Sequence, residues 1–158
     1  MTPPPDDTDA RDPDTDPMIS IELAWQLSVA GVRWYPVSGD RFTILQPELT
    51  GDVFTISDMM VEAHEFPTGT VLGFNGTTEW AMDSVSKEDA LWLPREDQLR
   101  TLLGGTFRSL VVDDDDAYLV TTRSPSGTEQ VFRADRAADA YGQALLALVA
   151  LAVGGAPL

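Results

Sequence analysis

Between Val32 and Phe74 the chain is cut repeatedly by turn-forming residues, and this punctuation restricts its fold more than any other feature. The runs VRWYPV, RFTILQ, VFTIS, MVEAHEF and TVLGF are separated by SGD, PELTGD and PTG, with no space for a helical crossover between them. Short β-type runs joined so tightly pair antiparallel, so the segment reads as a β-meander. Helical patterns flank it. Met18 to Gly31 puts Leu23, Leu27 and Ala30 on one stripe, with Ser20 as cap, Glu22 in the first turn and Gly31 as stop.

Downstream, Ser86-Lys87-Glu88-Asp89 has the form of a capping box with Asp in place of Glu. Pro94 suits the first position of a helix PREDQLRTLL, whose Leu99, Leu102 and Leu103 turn inward before Gly104-Gly105 ends it. A β-hairpin region comes next, FRSLVV, DDDD, AYLVTTR, SPSG and TEQVFRA. Asp135 then caps a final helix from about Arg136 to Val153. The expected fold is α+β: N-terminal helix, antiparallel β-meander, central helix, β-hairpin and C-terminal helix.

The 158 residues, 43% apolar, suffice for one domain with a core. Residues 1–17, MTPPPDDTDARDPDTDP, hold six Asp, one Arg and five of the eleven prolines, so they contribute −5 of the net −16 and leave −11 for the rest. So little apolar surface cannot offset ordering entropy, and a disordered acidic tail is expected there. The expected organisation is therefore a tail at 1–17, a single α+β domain at 18–153 and a short C-terminal tail at 154–158. Ala144 to Val153 is uninterrupted apolar sequence, too short for a membrane span, and reads as a buried helix or a homodimer interface.

Charge excludes partners. A net −16 disfavours phosphate backbones and anionic membranes and favours a protein partner with a basic surface. The same field also fits mimicry of a nucleic acid toward a protein that binds one. The absence of cysteine removes disulfides, thiolate nucleophiles and Cys-based metal sites, and a cytoplasmic location is the expectation. No G-x-x-x-x-G-K-[ST], G-x-G-x-x-G or G-x-S-x-G motif occurs, so no cofactor is expected.

Three stretches carry polar chemistry. In DMMVEAHE, alternation puts Glu62 and His64 on one strand face, spaced for an acid/base pair or two ligands of a metal ion. His64 is the single histidine, so the plainer reading is the polar side of a half-exposed strand. In FNGTTEW, Asn75-Gly76 makes a turn, Thr77 and Thr78 cap a helical turn begun by Glu79, and Trp80 anchors the loop. The rival reading makes Asn75, Thr77, Glu79 and Trp80 pocket residues beside Glu62 and His64. Finally, Asp113, Asp114, Asp115 and Asp116 sit at a hairpin tip. They lack calcium-loop spacing and read as a solvated turn or a docking patch for basic residues.

VSGDRF, VFTISDMMVE, PTGTVLGFNGTTEWAMDSV and LWLPREDQLRTLLG together resemble a group of small uncharacterised actinobacterial proteins, some of which carry a pilus-assembly label. The resemblance covers Ile19 to Ala147 and implies no role for any particular residue. The leading expectation is a non-enzymatic, acidic protein-binding module of adaptor, chaperone-like or immunity type. The alternative is a small-ligand binder or enzyme with a pocket near Glu62, His64 and Glu79.

Overall fold

The computed structural model describes residues 18–48, 51–56, 61–66, 69–74, 84–86 and 89–153, with side chains described for 18–48, 51–56 and 89–153. Its architecture is α+β. Helix α1 (Ile21–Val29) precedes strands β1 (Arg41–Ile44), β2 (Phe54–Thr55), β3 (Val61–Phe66), β4 (Gly69–Phe74), β5 (Ser84–Ser86) and β6 (Ala90–Leu93). Helix α2 (Glu96–Leu103) leads through a 3₁₀ turn, Gly104–Thr106, into β7 (Phe107–Val112), β8 (Tyr118–Arg123) and β9 (Glu129–Ala134), and α3 (Ala137–Val153) completes the order.

The strands form three antiparallel three-stranded sheets, ordered β2-β1-β6, β3-β4-β5 and β7-β8-β9. The expected single meander therefore divides. Strand β1 takes β6 as its second neighbour, with Thr43 opposite Leu91, whereas β3 to β5 pair among themselves. Ser86 ends β5 and Ala90 begins β6, so Ser86 is a strand residue and not the expected helix cap, while Lys87 and Glu88 lie outside the described residues. VRWYPV is not a strand either. In the last β region the three expected runs form β7, β8 and β9 as one three-stranded meander, one strand more than the hairpin.

Sheet β2-β1-β6 has two different faces because side chains alternate along each strand. Leu91 and Leu93 join the main core, which also contains Leu23 and Leu27 of α1, Leu99 and Leu103 of α2, Val120 of β8, and Tyr141, Ala144 and Leu145 of α3. Phe42 and Ile44 point the other way, into a second cluster with Trp34 and Ile56. There Phe42 lies between Trp34 and Phe54, with ring centroids 5.6 and 5.5 Å away. Offset aromatic contacts of this kind add about 0.5–1.5 kcal/mol to their area burial.

Helices α1 and α3 begin side by side. Ser20 Oγ accepts from the Leu23 N–H at 3.3 Å, and the Ser20 N–H donates to Asp139 Oδ1 at 2.7 Å, which joins the two helix beginnings. Their axes approach at Gly142, where a Cβ would stand 2.7 Å from Leu23 Cδ2 and 3.0 Å from Ile19 Cδ1. Glycine is what permits this contact.

Candidate functional site

Two of the sequence motifs meet at one buried carboxylate. Gly39 takes φ +93°, a conformation that side chains disfavour, and this turn delivers Asp40 to a position only 1% exposed. Asp40 Oδ2 accepts from Trp34 Nε1 at 2.9 Å and from the Val37 N–H at 3.0 Å. Asp40 Oδ1 accepts from Gln98 Nε2 at 2.6 Å and lies 3.7 Å from Arg95 Nη1. Arg95 also donates to the Gly39 carbonyl at 2.5 Å and to Asp97 Oδ1 at 3.1 Å. VSGDRF and LWLPREDQL are thus two halves of a junction that locks α2 to the β1 turn. A carboxylate so fully bonded is structural.

Beside this junction lies a cleft of about 530 Å³ lined by Met18, Gly39, Arg41, Val53, Thr55 and Arg95. Arg41 stands opposite Thr55 in the sheet register. Neither arginine was a site candidate from the sequence, because they are far apart in the chain and join only through the β1–β6 pairing.

The Asp113–Asp116 turn links β7 to β8. Asp113 Oδ1 accepts from the N–H groups of Asp115 and Ala117, both at 2.9 Å, and Arg133 Nε of β9 donates to Oδ2 at 3.0 Å. The Ala117 N–H first, then the Arg133 guanidinium, hold the Asp113 carboxyl below its ordinary pKa. Asp115 is 3.7 Å from Arg133 Nη2, and Asp116 adopts φ +60°. Asp113 is therefore spent on closing the turn against β9, while Asp114, Asp115 and Asp116 remain exposed.

Glu62 and His64 lie in β3, opposite Gly73 and Val71 of β4, two apart and so on one face of the strand. Asn75, Thr77, Glu79 and Trp80 lie outside the described residues. Among the described residues no three His, Asp or Glu side chains gather as a metal site.

A groove that sequence reasoning did not locate runs between α1, α3 and β9. It measures about 440 Å³, and its apolar lining includes Leu23, Phe132, Leu146, Ala147 and Ala150. Polar groups share the lining: Ser20, Glu22, Gln26, Asp139 and Gln143. At 1.5 Å per residue, α1 is about 14 Å long and α3 about 26 Å. Both helices also carry exposed apolar side chains, Trp25 and Val29 on α1 and Leu151 and Val153 on α3, with Val153 74% exposed. The signal was present in the unbroken run Ala144 to Val153. The groove wall from α1 was not, since it depends on helix pairing.

No family model, curated protein or solved structure matches this chain. Among the described residues no helix is long and apolar enough to cross a membrane.

Proposed function

We propose that this chain is a non-enzymatic protein-binding module of adaptor or chaperone kind. It receives, in the α1–α3 groove, an apolar partner segment flanked by Lys or Arg. The observation that carries this reading is the apolar lining of the groove together with two carboxylates in that lining, the exposed Glu22 and Asp139, which has one oxygen on the Ser20 N–H. Exposed apolar surface on a folded chain costs solubility and is retained where something covers it. Charge selects the occupant, because a carboxylate rim on a chain of net −16 attracts cationic flanks and repels anionic ones.

The volume suits a few anchoring side chains of an amphipathic segment, with specificity from the rim. A selection from a random displayed-peptide library tests this. Peptides enriched on the intact protein should have an apolar centre with Lys or Arg at the ends, and Ala150→Arg should lose them. Enrichment without that pattern, or unchanged binding by the variant, contradicts the reading. Self-association blocked by Ala150→Arg would instead identify the occupant as a second copy.

A further inference from the structure

The sheet β7-β8-β9 ends on two unlike edges. On β7 the register with β8 shifts between Phe107 and Ser109, a bulge of the kind that blunts an edge against further pairing. Strand β9 instead pairs with β8 without interruption from Ala134 to Glu129 and contains neither proline nor glycine. It has no second strand neighbour among the described residues.

The hairpin that opens β9 decides which of its main-chain groups face outward. The Ser124 N–H donates to the Thr128 carbonyl at 2.9 Å, so these two residues form a hydrogen-bonded pair. Bonded and non-bonded pairs alternate along an antiparallel ladder. Gln130, Phe132 and Ala134 therefore bond to β8, while the N–H and C=O groups of Glu129, Val131 and Arg133 point away from it. The preceding turn agrees, because the Asp113 N–H donates to the Ala117 carbonyl at 2.9 Å, which turns the odd-numbered residues of β8 toward β7 and the even-numbered ones toward β9. The side chains of Glu129, Val131 and Arg133 are exposed, on the face opposite Phe132, which packs against the core.

The pattern Glu129-x-Val131-x-Arg133 is complementary to itself. Two copies of β9 set antiparallel about a two-fold axis at Val131 place each Glu129 opposite an Arg133 and the valines opposite each other. All three facing pairs are then made by residues whose main-chain groups already point outward, with two bonds to a pair. Charge selects this register. An axis at Glu129 or Arg133 sets like charges face to face, and one at Gln130 or Phe132 leaves one of the two charges opposite Val131. The ion pairs within the chain are extended by it: Arg123 holds Glu129 at 2.6 Å and Asp113 holds Arg133 at 3.0 Å, so the row across the junction, Arg123, Glu129, Arg133, Asp113, alternates in sign. Such a balanced row lets two copies of a chain of net −16 approach.

We propose that the outer edge of β9 is a homodimer interface, joining two three-stranded sheets into one of six strands. It is a different surface from the α1–α3 groove, which Phe132 lines from the other face of the same strand.

Sedimentation equilibrium of the full-length chain tests this. Val131→Pro removes an outward N–H and suits an edge strand, so it should keep the parent's far-UV circular dichroism while abolishing the dimer. Glu129→Arg and Arg133→Glu should each weaken dimerisation roughly tenfold or more, because each sets like charges opposite one another twice. An equal mixture of the two variants restores opposite charges at both places and should recover the dimer, a result that damage to either fold cannot produce. A parent chain that stays monomeric up to about 0.5 mM overturns the proposal. So does a dimer that Val131→Pro leaves intact, or a mixture that stays monomeric. Ala150→Arg should leave this dimer unchanged, and loss of the dimer there with its retention in Val131→Pro would move self-association to the groove and overturn the proposal.

Discussion

Replacing Asp40 with Asn preserves shape and removes one acceptor, so its cost can be worked from the bonds around it. Asparagine can keep its oxygen toward Trp34 Nε1 and the Val37 N–H, but its NH₂ then faces Gln98 Nε2, a donor against a donor at 2.6 Å. Gln98 cannot simply turn over, because its Oε1 accepts from the Arg95 N–H at 3.0 Å. Hydrogen bonds to a charged partner contribute about 1.5–3 kcal/mol, and neutral ones about 1 kcal/mol. Weakening two and losing one would cost more than about 3 kcal/mol, which release from burying a charge partly offsets. The expected loss in Asp40→Asn is therefore about 2–3 kcal/mol. Gln98→Glu alone sets two carboxylates against each other and should cost at least as much. Combined, the changes restore a donor facing an acceptor, with the other Glu oxygen still available to the Arg95 N–H. The double variant should exceed both single variants in stability, measured by urea unfolding with tryptophan fluorescence as the signal. Additivity within about 0.5 kcal/mol would refute this account of the junction.

Other contacts carry expectations of their own. Gly142→Ala gains about 1 kcal/mol of helix propensity but pushes into Leu23 and Ile19, which costs about 1–3 kcal/mol; Gly142→Val should therefore destabilise more than Gly142→Ala in the same unfolding assay. Ser20→Ala should cost about 1 kcal/mol through loss of the α1 cap, again by urea midpoint. Asp113 has a lowered pKa in the fold, so its contribution to stability is complete above the unfolded carboxylate value near 4 and fades as pH falls through the folded value. Arg133→Gln should raise that pKa and move the fading to higher pH, as read by carboxyl ¹³C NMR. Trp92 Nε1 is buried without a hydrogen-bond partner among the described residues, so Trp92→Phe should cost less than removal of a bonded indole would, and a large loss would show that the nitrogen has a partner.

Legibility in the sequence tracked the range of the interactions involved. Helix α1, with its Ser20 cap, and strands β7 to β9 are governed by local caps, turns and alternation, and they were readable to within a residue or two. Strand β6 was not, because it is only four residues long and its partner β1 lies far upstream. VRWYPV has strand composition, but Pro36 lacks an N–H and the Val37 N–H is taken by the Asp40 carboxylate, so the segment wraps that side chain instead of pairing. The run Asp113 to Asp116 was visible as charge, while its closure onto Arg133 depends on β9 lying beside β8. The groove and the arginine cleft are both products of pairing between distant elements, and single-residue patterns carry no trace of them.

Whether the α1–α3 groove receives an apolar, cation-flanked segment is decided by calorimetric titration of a library-selected peptide. The peptide would be titrated into the intact protein and into Ala150→Arg, at about 0.05 M and about 0.5 M salt. Ala150 is exposed and lines the groove, so the substitution alters the surface without entering the core. Ala150→Arg should weaken binding roughly tenfold or more, and the intact protein should lose affinity markedly at the higher salt. Equal affinity for both proteins, independent of salt, would contradict it.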